Sequence, residues 1–151
     1  LLFEKEIMPT SNDVPATIIP AIRYADANKM IEWLTSVLGF TARAVYRDAS
    51  GVVAHAELTL GNGMVMIGTV GQNRETAHWF DEPKNIRAVT SSIYIIVPDC
   101  RVPYDSAKAA GAEILQDLAK KEYGGSGFIL RDPEEHIWSF GEYNPWAAPA
   151  Q

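Results

Sequence analysis

TIIPAIRYAD (residues 17–26) and SSIYIIVPD (residues 91–99) decide the fold. Each is a short β-rich run that ends on an aspartate, continues into a helical stretch and is closed by a glycine, Gly39 in the first copy and Gly111 in the second. Asp26 and Asp99 lie 73 residues apart, and the same offset carries GMVMIG (63–68) onto HIWSFG (136–141). One offset that fits both ends of a segment is the mark of an internal repeat.

The first helix is read over about residues 26–38. Asp26 suits an N-cap, because its carboxylate can accept from the free amides of the first turn. Ala27, Met30, Ile31, Leu34 and Leu38 form one apolar stripe, and Gly39 supplies the left-handed stop. The second helix is read over about 101–110, with Pro103 in its first turn and Gly111 at its end. Strand-like runs follow each helix: TARAVYRD, VVAHAELTL and MVMIGTV in the first half, GFILRD and IWSFGEY in the second. Ala49-Ser50-Gly51, Gly61-Asn62-Gly63 and Asp132-Pro133-Glu134-Glu135 separate them as turns.

The order is therefore βαβββ, a linker, then βαβββ: an α+β fold of two modules that form a cupped mixed sheet. A module of this kind covers one sheet face with its own helix and leaves the other bare, so the bare face needs a partner module. The expected boundaries are an N-terminal leader at 1–14, a single domain at 15–146 and a tail at 147–151. Within the domain, module 1 spans about 15–70, the linker 71–89 and module 2 about 90–146.

Composition narrows the function. The chain has 151 residues, 47% of them hydrophobic, and a formal net charge of −6. That charge argues against nucleic acid, which asks for a basic face. No apolar run approaches the ~20 residues of a membrane-spanning helix, and the N-terminal LLFEKE does not read as a secretory signal. The single Cys100 excludes an internal disulfide and a cysteine-cluster metal site. A cytoplasmic location is expected.

IIPAIRYAD with its helix and Gly39-Phe40, HAELTLGNGMVMIG, YIIVPD with AAGAEIL, and above all YGGSGFILRDPEEHIWSFGEYNPW resemble the vicinal-oxygen-chelate superfamily. That superfamily includes glyoxalase, extradiol dioxygenases and the bleomycin and fosfomycin resistance proteins. The resemblance covers about residues 16–146. It implies a glyoxalase/bleomycin-resistance fold, a homodimer and a small-molecule ligand. Metal-using members take one ligand from the first and one from the last strand of each module. The equivalent positions here are Ile19, Met66, Ser92 and Ser139. An aliphatic, a thioether and two hydroxyls do not make a divalent-cation site. The resemblance thus implies the metal-free, bleomycin-resistance-like branch, with no metal and no cofactor.

Strand parity selects the cleft residues. Ile19, Ala21 and Arg23 share one face, opposite Pro20, Ile22 and Tyr24, and Ser92 and Tyr94 follow the same parity in the second copy. The expected ligand-binding cleft is Arg23, His55, Glu57, Met66, Ser92, Tyr94, Tyr123 and Ser139, with Trp79 and Phe80 as a candidate lid. His55 and Glu57 lie two apart and project together, either into the cleft or into solvent. Arg23 is read as reaching an anionic group or pairing with Glu57. Trp138 is expected in the core, and His136 in an exposed turn. The linker aromatics of WFDEP and the terminal YNPW give weak support to a dimer contact. No nucleophile elbow, P-loop or dinucleotide-binding glycine motif is present.

Two functions follow as expectations, beside a third and blander one, an interaction module whose cleft is filled by its own side chains. The first is a metal-independent small-molecule-binding protein that sequesters an aromatic or cationic compound. The alternative is a lyase, isomerase or dioxygenase of the same superfamily, with an altered metal site built from His55, Glu57 or Glu142.

Overall fold

The computed structural model describes residues 14–147, so the expected leader (apart from Val14) and the tail (apart from Ala147) lie outside the described residues. The first copy runs β1 (Ala21–Tyr24), α1 (Ala27–Ser36), β2 (Thr41–Arg47), β3 (Val53–Leu60) and β4 (Gly63–Thr69). A 3-10 turn at Ala77–Trp79 and the short α2 (Pro83–Ile86) occupy the linker. The second copy runs β5 (Ile93–Ile96), α3 (Arg101–Ala109), β6 (Glu113–Lys120), β7 (Ser126–Arg131) and β8 (Ile137–Gly141).

Each copy makes its own four-stranded mixed sheet, ordered β1-β4-β3-β2 and β5-β8-β7-β6. The repeat offset reappears in the hydrogen-bond register. Parallel β1 and β4 place Ala21 beside Met66, and parallel β5 and β8 place Tyr94 beside Ser139. Both partners have moved by 73 residues, so the offset read from the sequence is a spatial equivalence. Asp26 caps α1 as expected, accepting from the Lys29 amide at 3.1 Å. Gly39 and Gly111 take φ of +84° and +73°, the left-handed conformation that ends each helix without a Cβ penalty.

Parity then sorts the faces. Ile22, Tyr24, Val65 and Ile67 of the first sheet are buried, as are Phe128, Leu130, Trp138 and Phe140 of the second. These helix-bearing faces share one apolar core. Phe40 meets Trp138 edge-on with ring centroids 5.7 Å apart, and the Ser106 hydroxyl of α3 donates to the carbonyl of Val37 at the end of α1 at 2.8 Å. The two bare faces therefore turn away from each other within the chain.

A single buried carboxylate fastens this arrangement. Asp132, at the DPEEH turn between β7 and β8, accepts through Oδ2 from the Tyr24 hydroxyl at 2.7 Å and from the Trp138 indole at 3.0 Å. Its Oδ1 accepts from the amides of Glu134 and His136 and so holds the turn itself. Burial pushes the Tyr24 hydroxyl well above the usual phenol range, and the Asp132 charge adds to the shift, so Tyr24 remains a donor. Next to it Glu134 accepts from the amides of Ala25 and Asp26 at 2.6 and 2.9 Å, clasping the entry to α1. His136 differs from its expected place. It is half-buried, edge-on to Tyr24 at 5.0 Å, because the clasp draws the whole turn onto the first module.

Removing one donor from a buried carboxylate should be costly. Tyr24→Phe is expected to lower stability by about 1–3 kcal/mol in urea unfolding. Asp132→Ala strands a hydroxyl and an indole N–H and should cost more, on the order of 3 kcal/mol. Losses below about 0.5 kcal/mol, the range of ordinary surface substitutions, would show that the clasp does not hold the modules.

Candidate functional site

The outer face of the first sheet carries His55 and Glu57 on β3, Met64 and Met66 on β4, and Arg23 on β1. The expected side-by-side projection of His55 and Glu57 holds: Nε2 of His55 lies 3.1 Å from a Glu57 carboxylate oxygen. The other oxygen accepts from Arg43 at 2.9 Å. The hydrogen bond with His55 holds the Glu57 carboxyl below the usual carboxylate range, and the Arg43 guanidinium reinforces it. Tyr46, opposite His55 on β2, stacks on the imidazole with centroids 6.0 Å apart. This side of the face is a connected row of aromatic, imidazole, carboxylate and guanidinium groups.

Arg23 does not pair with Glu57. A β-bulge between Ala42 and Ala44 places Arg43 within reach of the carboxylate instead. Arg23 lies flat over Gly68, where an added Cβ would sit 3.2 Å from its side chain, and its guanidinium rests 4.4 Å from the centroid of Phe80. Such a cation-π contact needs the ring face, so Phe80 lies over the Arg23 guanidinium at this end of the sheet. Trp79 points elsewhere, 68% exposed and edge-on to His78.

The outer face of the second sheet is aromatic. Tyr94 is 41% exposed and lies across Gly141, where an added Cβ would collide with the hydroxyl end of its ring. Its hydroxyl donates to the carbonyl of Tyr143 at 2.8 Å. Tyr143 is in turn edge-on to Tyr123 at 5.4 Å, and Tyr123 is 62% exposed on the loop after β6. Tyr143 entered the sequence reading only within YNPW, as support for a dimer contact and not as a cleft residue, although its place two residues after the last strand was a usable signal. Gly68 and Gly141 are equivalent under the repeat. Each seats one long side chain flat on the sheet, an arginine in the first copy and a tyrosine in the second.

The metal-ligand positions implied by the resemblance do not fit a divalent cation. Met66 faces outward on the first sheet and Ser139 outward on the second, while Ile19 and Ser92 precede β1 and β5. One chain does not bring these four around a point, because the two outer faces turn apart. Among the described residues no three His, Cys, Asp or Glu converge as a metal site. Glu142, a ligand in the alternative reading, is committed to the fold: its oxygens accept from the amides of Cys100 at 2.9 Å and Ser126 at 3.0 Å. Cys100 is fully buried, and burial pushes its thiol up to about 11, so it is no nucleophile at neutral pH.

Of the expected cleft residues, the fold gathers Arg23, His55, Glu57 and Met66 on one face and Tyr94 and Ser139, with Tyr123 at the rim, on another. An open pocket of about 330 Å³ adjoins the first group, between Ile19, Arg43, Met64 and the turn at Gly61–Gly63. No helix among the described residues is long and apolar enough to cross a membrane.

Comparison with known proteins agrees with this architecture. The family profile described as Glyoxalase/Bleomycin resistance protein/Dioxygenase superfamily matches residues 17–140. Among solved structures, TioX from Micromonospora sp. ML1 is similar at 27% identity, over 85% of this chain and 99% of that one, with a TM-score of 0.66. The fosfomycin resistance protein FosX from Listeria monocytogenes aligns at 11% identity over 87% and 96% of the two chains, with a TM-score of 0.63. Lactoylglutathione lyase from Agrobacterium tumefaciens aligns at 14% identity over 88% and 97%, with a TM-score of 0.60. The last two likenesses concern the fold alone. Among curated proteins no match is found. The profile match, resting on the same two βαβββ copies that the register superimposes, places this chain in the glyoxalase/bleomycin resistance protein/dioxygenase superfamily.

Proposed function

We propose that the protein is a metal-independent binder of a small aromatic molecule, working as a homodimer. The observation that carries this reading is the exposed aromatic set Tyr94, Tyr123 and Tyr143, on the outer face of the second sheet and at its rim. Flat rings at a rim offer stacking surface at a low entropic cost. The opposite wall is the outer face of the first sheet, with Tyr46, His55 and Met66. The two walls belong to one cleft only when a second copy brings its first sheet against the second sheet of its partner. The cationic half of the expectation has less behind it. Glu57 is the carboxylate that would receive a cation, and Arg43 and His55 already occupy it. Soluble and cytoplasmic use, without nucleic acid or membrane, belongs to the same proposal.

Titration calorimetry with planar aromatic compounds checks it. Tyr94→Ala and Tyr123→Ala should each weaken binding by about 2- to 10-fold, since an aromatic stack is worth about 0.5–1.5 kcal/mol. Mixing a Tyr46→Ala chain with a Tyr94→Ala chain should restore one intact cleft per heterodimer. Unchanged affinity in both tyrosine variants would remove the stacking wall. Failure of the mixture to recover, with dimers formed, would place the two walls in separate sites.

Glu57 supplies a pH test with a fixed sign. Its carboxyl is held low in the folded state, so its stabilising effect is present above the unfolded value, about 4.3, and is lost as pH falls through the folded value. The stability difference between the wild type and Glu57→Gln should be level above about pH 5 and shrink on acidification. Affinity for a neutral aromatic ligand should stay the same in that variant. A selective loss of affinity for cationic ligands would instead return Glu57 to the role of a cation receptor.

A further inference from the structure

Two non-glycine residues among the described ones have a left-handed backbone, Arg87 at φ +58° and Glu135 at φ +74°. Both line the same open pocket of about 360 Å³, although they are 48 residues apart in sequence. Arg87 follows α2 in the linker, and Glu135 closes the turn before β8. Glycine suits both positions better, because an L side chain crowds the backbone there. That two charged residues stand at these positions, and meet at one pocket, points to a use for their side chains.

The charges are disposed unusually. The other cations of the pocket are engaged: Lys84 with Glu82 at 3.3 Å and Arg131 with Glu113 at 2.7 Å. Among the described residues the Arg87 and Glu135 side chains make no ion pair or hydrogen bond, with each other or with any other group. Among the described residues, the pocket is therefore lined by one guanidinium and one carboxylate that no ion pair or hydrogen bond engages. Val89 and Ile137 supply an apolar wall beside them. The volume lies at the lower end of ligand-sized sites, about 300–1,000 Å³.

We propose that this pocket binds a small zwitterion of the α-amino acid class. Arg87, with the remaining donors of Arg131, takes the carboxylate, Glu135 takes the ammonium, and an apolar side chain lies on Val89 and Ile137. A single anion would face Glu135 and a single cation would face Arg87, so only a ligand with both charges satisfies both groups. Ile137 shares the outer face of β8 with Ser139, which places the pocket at the end of the aromatic face. Its residues are nonetheless separate from the stacking tyrosines, and it stands or falls independently of them.

The test is binding of phenylalanine, phenethylamine and 3-phenylpropionate at neutral pH, followed by amide chemical shifts on the full chain. Phenylalanine should give saturable shifts at Arg87 and Glu135, and the two singly charged analogues should bind at least about tenfold more weakly, as one charged contact is lost. Arg87→Gln and Glu135→Gln should each weaken phenylalanine binding by a similar factor. Arg87→Gly and Glu135→Gly should weaken it at least as much while leaving the melting temperature equal or higher, because glycine relieves the backbone. No saturable shift with phenylalanine, equal binding of 3-phenylpropionate, or a lower melting temperature in both glycine variants would each overturn the proposal.

Discussion

The buried Asp132 carboxylate sets the relation between the two halves of the molecule. A charge removed from water must be fully hydrogen-bonded to be tolerated. Asp132 meets that demand with donors from both modules: Tyr24 from the first, and Trp138 and two turn amides from the second. Satisfying one carboxylate therefore fixes the helix-bearing faces against each other, and the aromatic packing of Phe40 on Trp138 follows. The outer faces then point apart. A module that could have closed a cleft within the chain is committed to a different contact, and this is why the expected cleft residues lie on two separate faces.

Most of the repeat was legible because it rests on backbone chemistry. A capping aspartate, an apolar stripe and a left-handed glycine each leave a local mark, and Asp26, Met30 to Leu38 and Gly39 carry all three. The 73-residue offset reappears in the register, where Tyr94 beside Ser139 repeats Ala21 beside Met66. Less was legible where the outcome depends on distant partners. DPEEH reads locally as a turn, and nothing near it says that Tyr24 will arrive from 108 residues away. The strand β6 was not delimited, since EILQDLAK is largely exposed and weakly patterned. Parity left Arg23 to reach either an anionic group or Glu57, and an irregularity in β2 gives that carboxylate to Arg43.

Site residues were legible as faces and not as assemblies. Parity correctly separated Ile22 and Tyr24, which are buried, from Ala21 and Arg23, which face outward. It could not show that the outer faces of the two copies diverge. That is a property of how modules pack, and it depends on which face finds the better burial. Here the apolar residues lie on the helix side of both sheets, so the hydrophobic effect and the Asp132 clasp favour the same arrangement.

The two copies have kept their geometry and divided their chemistry. Gly68 and Gly141 occupy equivalent places and give a flat seat to one long side chain apiece. In the first copy the seat holds Arg23 under Phe80, near a row in which Tyr46, His55, Glu57 and Arg43 satisfy one another. In the second it holds Tyr94, whose ring stays open to solvent. Charges that are already paired have little left to offer an incoming ion, since displacing a partner costs what the new contact gains. Uncovered rings lose only water on contact and gain from every ring they meet. Under the proposed function, selectivity at the stacking tyrosines should therefore come from the shape and stacking area of the ligand, with its net charge secondary, despite the acidic balance of the chain as a whole.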